Sequence, residues 1–264
     1  MINKVVVFLF MIITATLSSD YCSNSFCGYG IKHIACNNDG KFSKACPPNA
    51  VIIDFTDELK EFVLNTHNSY RNQIALGGIK GYQKASRMAT LVWDDDLAQF
   101  AEYNVRTCTF AHDLCRNTGK YRYAGQNLAL SQNSKEFDKP KKIIESMTKG
   151  WFDEYNDANM DVINNFRTIG RMIGHFTQLV RDEAYAVGCA IVQFKKHGWY
   201  TTIYACDYSL TNMLKNPIYQ GTSNTASQCL TGTNPRFEGL CSIKEIYDNE
   251  LFYKNNFYYF TNME

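Results

Sequence analysis

Ten cysteines are spread along this chain, and they restrict its fold more than any other feature of the sequence. They stand at positions 22, 27, 36, 46, 108, 115, 189, 206, 229 and 241. An even number of cysteines in an exported chain is typical of a disulfide framework. Zinc coordination is the alternative, but the chain contains no Cys-x-x-Cys pair and its spacings match no structural zinc pattern. We therefore expect five disulfides.

Residues 1–19 have the composition of a secretory signal peptide. Lys4 precedes an apolar run over residues 5–17, and Ser18 and Ser19 follow it. The run is shorter than the ~20 apolar residues that a membrane-spanning helix needs, and no later stretch reaches that length. We expect residues 1–19 to be removed, and the protein to be secreted and extracellular without a stable membrane anchor.

The charges of the chain are balanced, with 27 Lys and Arg residues against 26 Asp and Glu residues and a formal net charge of +1. A balanced chain lacks the basic field that attracts nucleic acid. We therefore expect no nucleic-acid partner. Separately, we expect the protein to be a monomer.

Apolar residues recur at helical spacing in several segments. Thr56 suits the start of a first helix and Asp94 the cap of a second. A third helix is predicted to run through residues 144–155, and a short fourth helix through residues 172–180. The segment from 131 to 140 is polar and predicts a loop.

Two extended segments, Ala186–Lys196 and Trp199–Tyr208, are separated only by His197 and Gly198, a spacing that predicts a tight β-hairpin. A two-residue turn there places Cys189 directly opposite Cys206. Opposed side chains in an antiparallel pair lie about 5 Å apart at their β-carbons, so this register predicts a disulfide between the two.

Four segments supply residues that could form a binding site in the fold. They contribute two histidines, one carboxylate and one amide: His112, His175, Glu154 and Gln126. We predict structural or solvent-exposed roles for the other histidines. His67, near Asn68 and Arg71 on the first helix, suits a hydrogen-bonding cluster, whereas His33 and His197 are expected to be solvated.

No catalytic nucleophile is expected. The chain has no Gly-x-Ser-x-Gly elbow, five disulfides would leave no free thiolate, and Ser69 near His67 is poor evidence for a triad. We therefore predict that the protein is not an enzyme.

Six segments in series resemble the CAP superfamily, the cysteine-rich secretory, antigen five and plant pathogenesis-related class one proteins. The likeness is strongest to the insect antigen five branch of venoms and saliva. The segments are His67–Arg71, Trp93–Ala98, Cys108–Arg116, Tyr123–Ala129, Gly174–Leu179 and Tyr204–Tyr208.

The resemblance implies an α+β fold, an α-β-α sandwich with a three-stranded antiparallel sheet between helices. It also implies the disulfides Cys22–Cys36, Cys27–Cys115, Cys46–Cys108 and Cys189–Cys206, which leaves Cys229 and Cys241 to pair by elimination. We expect a cysteine-rich N-terminal arm over 20–55, a CAP domain over 56–214, and a C-terminal extension over 215–264 with an aromatic tail, Phe252–Phe260.

The family's central cleft holds two histidines and two acidic residues, and these positions fall on His112, Gln126, Glu154 and His175. The resemblance therefore implies a zinc or copper site that is incomplete, because Gln126 stands where a glutamate is common. A pair of histidines hydrogen-bonded to Glu154 and Gln126 without an ion is an equal alternative.

Resemblance to the antigen five branch implies that the protein is a component of saliva or venom and an allergen. It also implies that the protein binds or sequesters a small molecule or protein of a host or prey. Two other functions are carried as alternatives. One is a zinc- or copper-dependent antioxidant or hydrolytic activity in the cleft. The other is an endogenous reproductive or immune role, which tissue expression would reveal.

Overall fold

The structure is a computed structural model that describes residues 20–248. The predicted signal peptide, residues 1–19, and the aromatic tail, Phe252–Phe260, lie outside the described residues.

Five helices and seven strands make up the described chain, together with one short 3-10 turn at Glu154–Asn156. The helices are α1 Asp57–Ala75, α2 Asp95–Val105, α3 Pro140–Asp153, α4 Met160–Asn164 and α5 Gly174–Leu179. The strands are β1 Val51–Ile52, β2 Lys84–Ala85, β3 Val92–Trp93, β4 Gly125–Asn133, β5 Ala186–Lys196, β6 Trp199–Tyr208 and β7 Gly221–Thr222.

The central sheet is built on the hairpin of β5 and β6, which the sequence predicted with the same bounds. Cys189 lies opposite Cys206 in the observed register, and His197 and Gly198 both have positive φ in the two-residue turn. β4 pairs with the other edge of β6, which gives three long antiparallel strands in the order β5-β6-β4. Two-residue strands β1 and β3 add to the outer edge of β5.

The two faces of this sheet bury different side chains, because successive residues of a strand point to opposite sides. Even-numbered positions of β5, including Ala190 and Val192, pack with Ala101 and Val105 of α2. Odd-numbered positions such as Ile191 pack with α1 and α3. The fold is therefore the α-β-α sandwich that the sequence analysis expected.

Gly188 lets α2 approach the sheet closely. A β-carbon at this position would stand 2.1 Å from the backbone nitrogen of Ala98 and 2.5 Å from the carbonyl oxygen of Asp94. Because those are backbone atoms of the first turn of α2, the clash could not be relieved by a side-chain rotation. Any side chain at position 188 would push the helix away from β5.

The predicted helix starts are confirmed. The hydroxyl of Thr56 accepts a hydrogen bond from the amide of Leu59, and the carboxylate of Asp94 accepts from two amides of α2. The prediction of a loop from residue 131 was wrong at its start, because β4 continues to Asn133. Pairing with β6 along nine residues overrides the polar composition of Ser131, Gln132 and Asn133.

The N-terminal arm consists of turns and bends up to β1 and is joined to the body by disulfides. The five disulfides unite the same cysteines that the sequence analysis paired: Cys22–Cys36, Cys27–Cys115, Cys46–Cys108, Cys189–Cys206 and Cys229–Cys241.

His33 in the arm is not solvated, contrary to our expectation. Its ring is buried, stacks on Tyr21 at 4.6 Å and lies 2.7 Å from the carbonyl oxygen of Asn117. Burial lowers its pKa. Local sequence did not reveal this, because the aromatic cage that covers His33 includes Phe100 of α2. His197, by contrast, is exposed in the hairpin turn.

Arg71 of α1 is a fully buried guanidinium that is solvated by backbone carbonyl groups. It donates six hydrogen bonds of 2.8–3.3 Å. The acceptors are the carbonyl oxygens of Ala89, Leu179, Arg181, Asp182 and Ala184. Burial lowers its pKa to about 10. Arg71 thus ties the loop before β3 and the loop between α5 and β5 to the first helix.

Glu245 holds the C-terminal extension to the body. Its carboxylate accepts hydrogen bonds from the amides of Leu230 and Thr231 and from the Thr231 hydroxyl, and Nε of Arg87 lies 2.8 Å away. Burial alone would raise the pKa of this carboxyl, but these donors outweigh it and lower the pKa to about 2.

No helix within residues 20–248 is both long enough and apolar enough to cross a bilayer.

We predict that Arg71→Met lowers the free energy of unfolding by at least about 3 kcal/mol, because the buried carbonyl groups lose their donors. Urea unfolding measures this. Arg236→Met is the control. Arg236 is exposed, forms a 3.6 Å pair with Glu61 and lies 5.5 Å from the Phe237 ring, so its loss should change stability by less than about 1 kcal/mol. Equal effects of the two substitutions would contradict the structural role of Arg71.

We predict that Glu245→Gln destabilises the protein at neutral pH and that this loss shrinks on acidification. The folded pKa of Glu245 is depressed, so its contribution is fully present above the ordinary carboxyl pKa of about 4.3. It disappears as the pH falls through about 2. Unfolding of both proteins across this pH range tests the prediction, with the exposed Glu238→Gln as control. A pH-independent difference would contradict it.

Candidate functional site

The candidate site is a cleft at the free edge of β4, near the start of that strand. The cleft has a volume of about 310 Å³. It is lined by His112, Gln126, Asn127, Met172, Gly174, His175, Gln178, Thr211 and Asn212. Three of the four residues predicted from sequence line it directly, and the fourth, Glu154, contacts it through His175.

His112 lies on the loop that follows α2, and Gln126 of β4 orients its ring. Nδ1 of His112 is 2.7 Å from the side-chain oxygen of Gln126. The amide nitrogen of Gln126 donates to Asp113 and to Asp207, each at 2.9 Å. Because both donor hydrogens face these carboxyl groups, the amide oxygen must face His112. Nδ1 therefore carries a proton, and in the neutral ring Nε2 of His112 carries the lone pair.

Asp207 and Asp113 are members of the site that sequence reasoning missed. Asp207 is fully buried on β6, and this burial raises its pKa well above the ordinary carboxyl value despite the opposing charge of Arg116. Asp113 is paired with Arg116 at 3.1 Å. Both aspartates lie in segments that carry the family resemblance, but only the register of β4 against β6 places Asp207 opposite Gln126.

His175, the second residue of α5, is oriented in a similar way by Glu154. Nδ1 of His175 is 2.6 Å from one carboxylate oxygen, and the other oxygen accepts from the backbone amides of His175 and Phe176 at 2.9 and 3.1 Å. A carboxylate that accepts from Nδ1 places the proton on that nitrogen. In the neutral ring, Nε2 of His175 therefore also carries the lone pair. Trp151 of α3 stacks beside the ring at 6.2 Å.

Neighbouring residues of β4 hold the two sides of the cleft. Gln126 points to the α2 face of the sheet and contacts His112, whereas Asn127 points to the opposite face and donates to the carbonyl oxygen of His175 at 3.0 Å. Gly125 precedes them, and a β-carbon there would stand 2.3 Å from the side chain of Gln178. Strand alternation thus brings two histidines from different layers to one edge.

The four predicted residues have two kinds of role in this geometry. The rings of His112 and His175 each retain an Nε2 that has no hydrogen-bond partner among the described residues. Gln126 and Glu154 are already engaged in orienting those rings. The arrangement offers two imidazole rings, the ligands that zinc and copper favour, and each ring is fixed by a hydrogen bond at Nδ1.

His67 has the structural role that the sequence predicted. Its ring is fully buried, with Nδ1 2.9 Å from the carbonyl oxygen of Val63 and Nε2 3.0 Å from the Tyr208 hydroxyl. Burial lowers its pKa to about 4, so the ring is neutral. The sulfur atoms of Cys189 and Cys206 lie near this ring, but they form a disulfide and offer no thiolate to a metal.

Ser69 does not pair with His67. Its hydroxyl donates to the carbonyl oxygen of Asn65 at 2.7 Å on the exposed side of α1. The two residues therefore form no nucleophile–base pair.

The fold and the cleft define the class of this protein, a disulfide-rich α-β-α sandwich with two oriented histidines at one sheet edge. Residues 64–208 match the profile of the cysteine-rich secretory protein family, CAP. The chain belongs to this family.

Its relatives place it in the antigen 5 branch. It is 41% identical over 247 residues to venom allergen-1 of Aedes albopictus, an alignment that covers 89% of this chain and 94% of the relative. It is 40% identical over 204 residues to the antigen 5 like allergen Cul n 1 of Culicoides nubeculosus, covering 73% of this chain and 92% of the relative.

Solved structures show the same fold. The crystal structure of NaASP2 with Zn²⁺ superposes with a TM-score of 0.59 at 28% identity, over 75% of this chain and all of the other. The structure of BmVAL-1 superposes with a TM-score of 0.60 at 24% identity, over 74% of this chain and 97% of the other.

We predict that both cleft histidines are Nδ1-protonated when neutral, which ¹⁵N chemical shifts of the ring nitrogens would show. Gln126→Leu should release the preference of His112 for this tautomer, because the acceptor at Nδ1 is lost. His175 in the same variant is the internal control and should not change, since Glu154 still accepts from its Nδ1. A shift of both rings, or of neither, would contradict the separate orienting contacts.

Proposed function

We propose that this antigen 5-like protein is a secreted, extracellular binding protein without enzymatic activity. It acts as a component of saliva or venom that binds or sequesters a small molecule or protein of a host or prey, and its cleft binds zinc or copper. The names of its relatives, venom allergen and antigen 5 like allergen, support the first part of this proposal. The geometry of the cleft supports the second part.

The observation that carries the metal site is the pair of Nε2 atoms left free on His112 and His175. Each ring is locked in the tautomer that a metal ligand needs, by Gln126 in one case and by Glu154 in the other. Hydrogen bonds of this type raise the basicity of an imidazole and fix its direction. A zinc or copper ion held there would supply Lewis acidity, and His112 and His175 would be its protein ligands.

Catalysis is less well supported by the same contacts. A metal-dependent hydrolase or dismutase needs a group that is free to move a proton at the reacting atoms. Glu154 accepts three hydrogen bonds from its own protein neighbours. Gln126 is an amide, which is neither protonated nor deprotonated at ordinary pH. Neither residue is available as a general base without breaking the contacts that orient the histidines.

The lack of a negative charge on the two ligand rings also favours reversible metal binding. The donor set of two neutral rings brings no negative charge to offset that of a divalent ion. We therefore expect modest affinity for the metal ion, in keeping with reversible binding rather than a permanently held cofactor.

An endogenous reproductive or immune role is the alternative to a role in saliva or venom, and it would use the same fold. Strong enrichment of expression in a salivary or venom gland would separate these two roles.

Isothermal titration with Zn²⁺ and with Cu²⁺ tests the cleft. We expect one ion to bind to the unaltered protein, binding to be lost in His112→Ala and in His175→Ala, and affinity to fall about 10–100-fold in Gln126→Leu. His197→Ala is the matched control, because His197 is exposed in the hairpin turn and should have no effect. Equal affinity in all variants, or negligible binding in each, would refute the metal site.

A further inference from the structure

The end of the central sheet nearest the β5–β6 turn is left uncovered on its α2 face. An 11-residue helix such as α2 spans about 16 Å, whereas an 11-residue strand such as β5 spans about 36 Å. The first turn of α2 sits against Gly188, close to the start of β5. The helix therefore ends before the strands do, and the last residues of the hairpin extend past it.

Large apolar side chains remain exposed on this uncovered end. Phe110 is 50% exposed, Leu130 is 42% exposed and Trp199 is 47% exposed. Together with Lys196 and His197 they surround a shallow cavity of about 240 Å³. We call these five residues the hairpin-tip patch. Phe194 and Ile203 form its buried floor, so the patch continues the hydrophobic core to the surface.

The charge of the patch has one sign. The residues that line its cavity include Lys196 and His197 but no carboxylate, and Lys196 forms no ion pair with any residue in 20–248. Lys195, next in the chain, is also exposed but points to the opposite face of the sheet, where its ammonium contacts the hydroxyl of Tyr200 at 3.2 Å. Exposed aromatic and aliphatic groups beside a lysine without an ion-pair partner among residues 20–248 match the chemistry of an anionic bilayer interface.

We propose that the hairpin-tip patch docks the protein reversibly on anionic lipid membranes, with Trp199 at the level of the headgroups. The cavity is smaller than the pockets of about 300–1,000 Å³ that enclose drug-sized ligands, which argues against a soluble small molecule as the occupant. The ammonium of Lys196 favours an anionic surface, and the apolar groups enter its outer layer. This docking is distinct from the metal cleft and does not depend on it.

Vesicle cosedimentation of the mature oxidised chain tests the proposal. The protein should bind vesicles of phosphatidylcholine with phosphatidylserine, bind pure phosphatidylcholine far less, and dissociate as salt is added. Each basic residue strengthens binding to an anionic surface roughly fivefold, so Lys196→Glu, which changes the charge by two, should weaken binding about 25-fold. Trp199→Ala should weaken it about tenfold, because its apolar ring no longer enters the interface.

Matched controls lie elsewhere on the surface. Ile243 is 67% exposed and Lys80 is exposed, so Ile243→Ala and Lys80→Glu should bind vesicles like the unaltered protein. Absence of binding to the anionic vesicles, or equal losses in patch and control variants, would overturn the proposal. So would retention on a sulfated polysaccharide or a protein partner without vesicle binding. Metal titration of Trp199→Ala distinguishes failure of the docking proposal from failure of the proposed metal site, since that variant should bind zinc or copper normally.

Discussion

The antiparallel pairing of β5 with β6 is the interaction on which the rest of the structure depends. These strands are buried along most of their length, so their side chains supply the inner surface for the helices on both faces. α2 can pack only because Gly188 leaves room for its backbone, and α1 and α3 cover the face that carries the Cys189–Cys206 disulfide. The short strands β1 and β3 pair with one edge of this hairpin and β4 with the other.

The cleft follows from that arrangement, because β4 is an edge strand. Its free edge is open to residues from both helical layers, and its alternating side chains reach both. Gln126 orients His112, which follows α2, while Asn127 holds the backbone of His175 on α5. The two histidines are far apart in sequence and belong to different layers. They share one cleft because the strand between them contacts each from a different face.

Buried polar groups stabilise the irregular segments around this frame. Arg71 has its donors taken up by carbonyl groups of two loops, and His67 joins α1 to β6 through the Tyr208 hydroxyl. Burial keeps His67 neutral, and carbonyl groups solvate the guanidinium of Arg71. Hydrogen-bond partners of this kind are the condition under which such groups can be buried. The same frame leaves one end uncovered, since α2 is shorter than the hairpin. The apolar surface of the hairpin-tip patch is a direct consequence of that difference in length.

The sequence by itself determined the elements whose signals are local. The hairpin, the caps at Thr56 and Asp94, and the Cys189–Cys206 pair follow from a two-residue turn, capping chemistry and register. The α-β-α sandwich and the four cleft residues were predicted from the family resemblance. Tertiary structure alone decided the end of β4, the burial of His33 and the partners of Gln126, because each depends on a residue that is distant in sequence. Asp207 shows this most clearly: its type and its neighbours in the chain do not reveal that it accepts from Gln126. Only the pairing of β4 with β6 brings the two side chains together on one face and away from water.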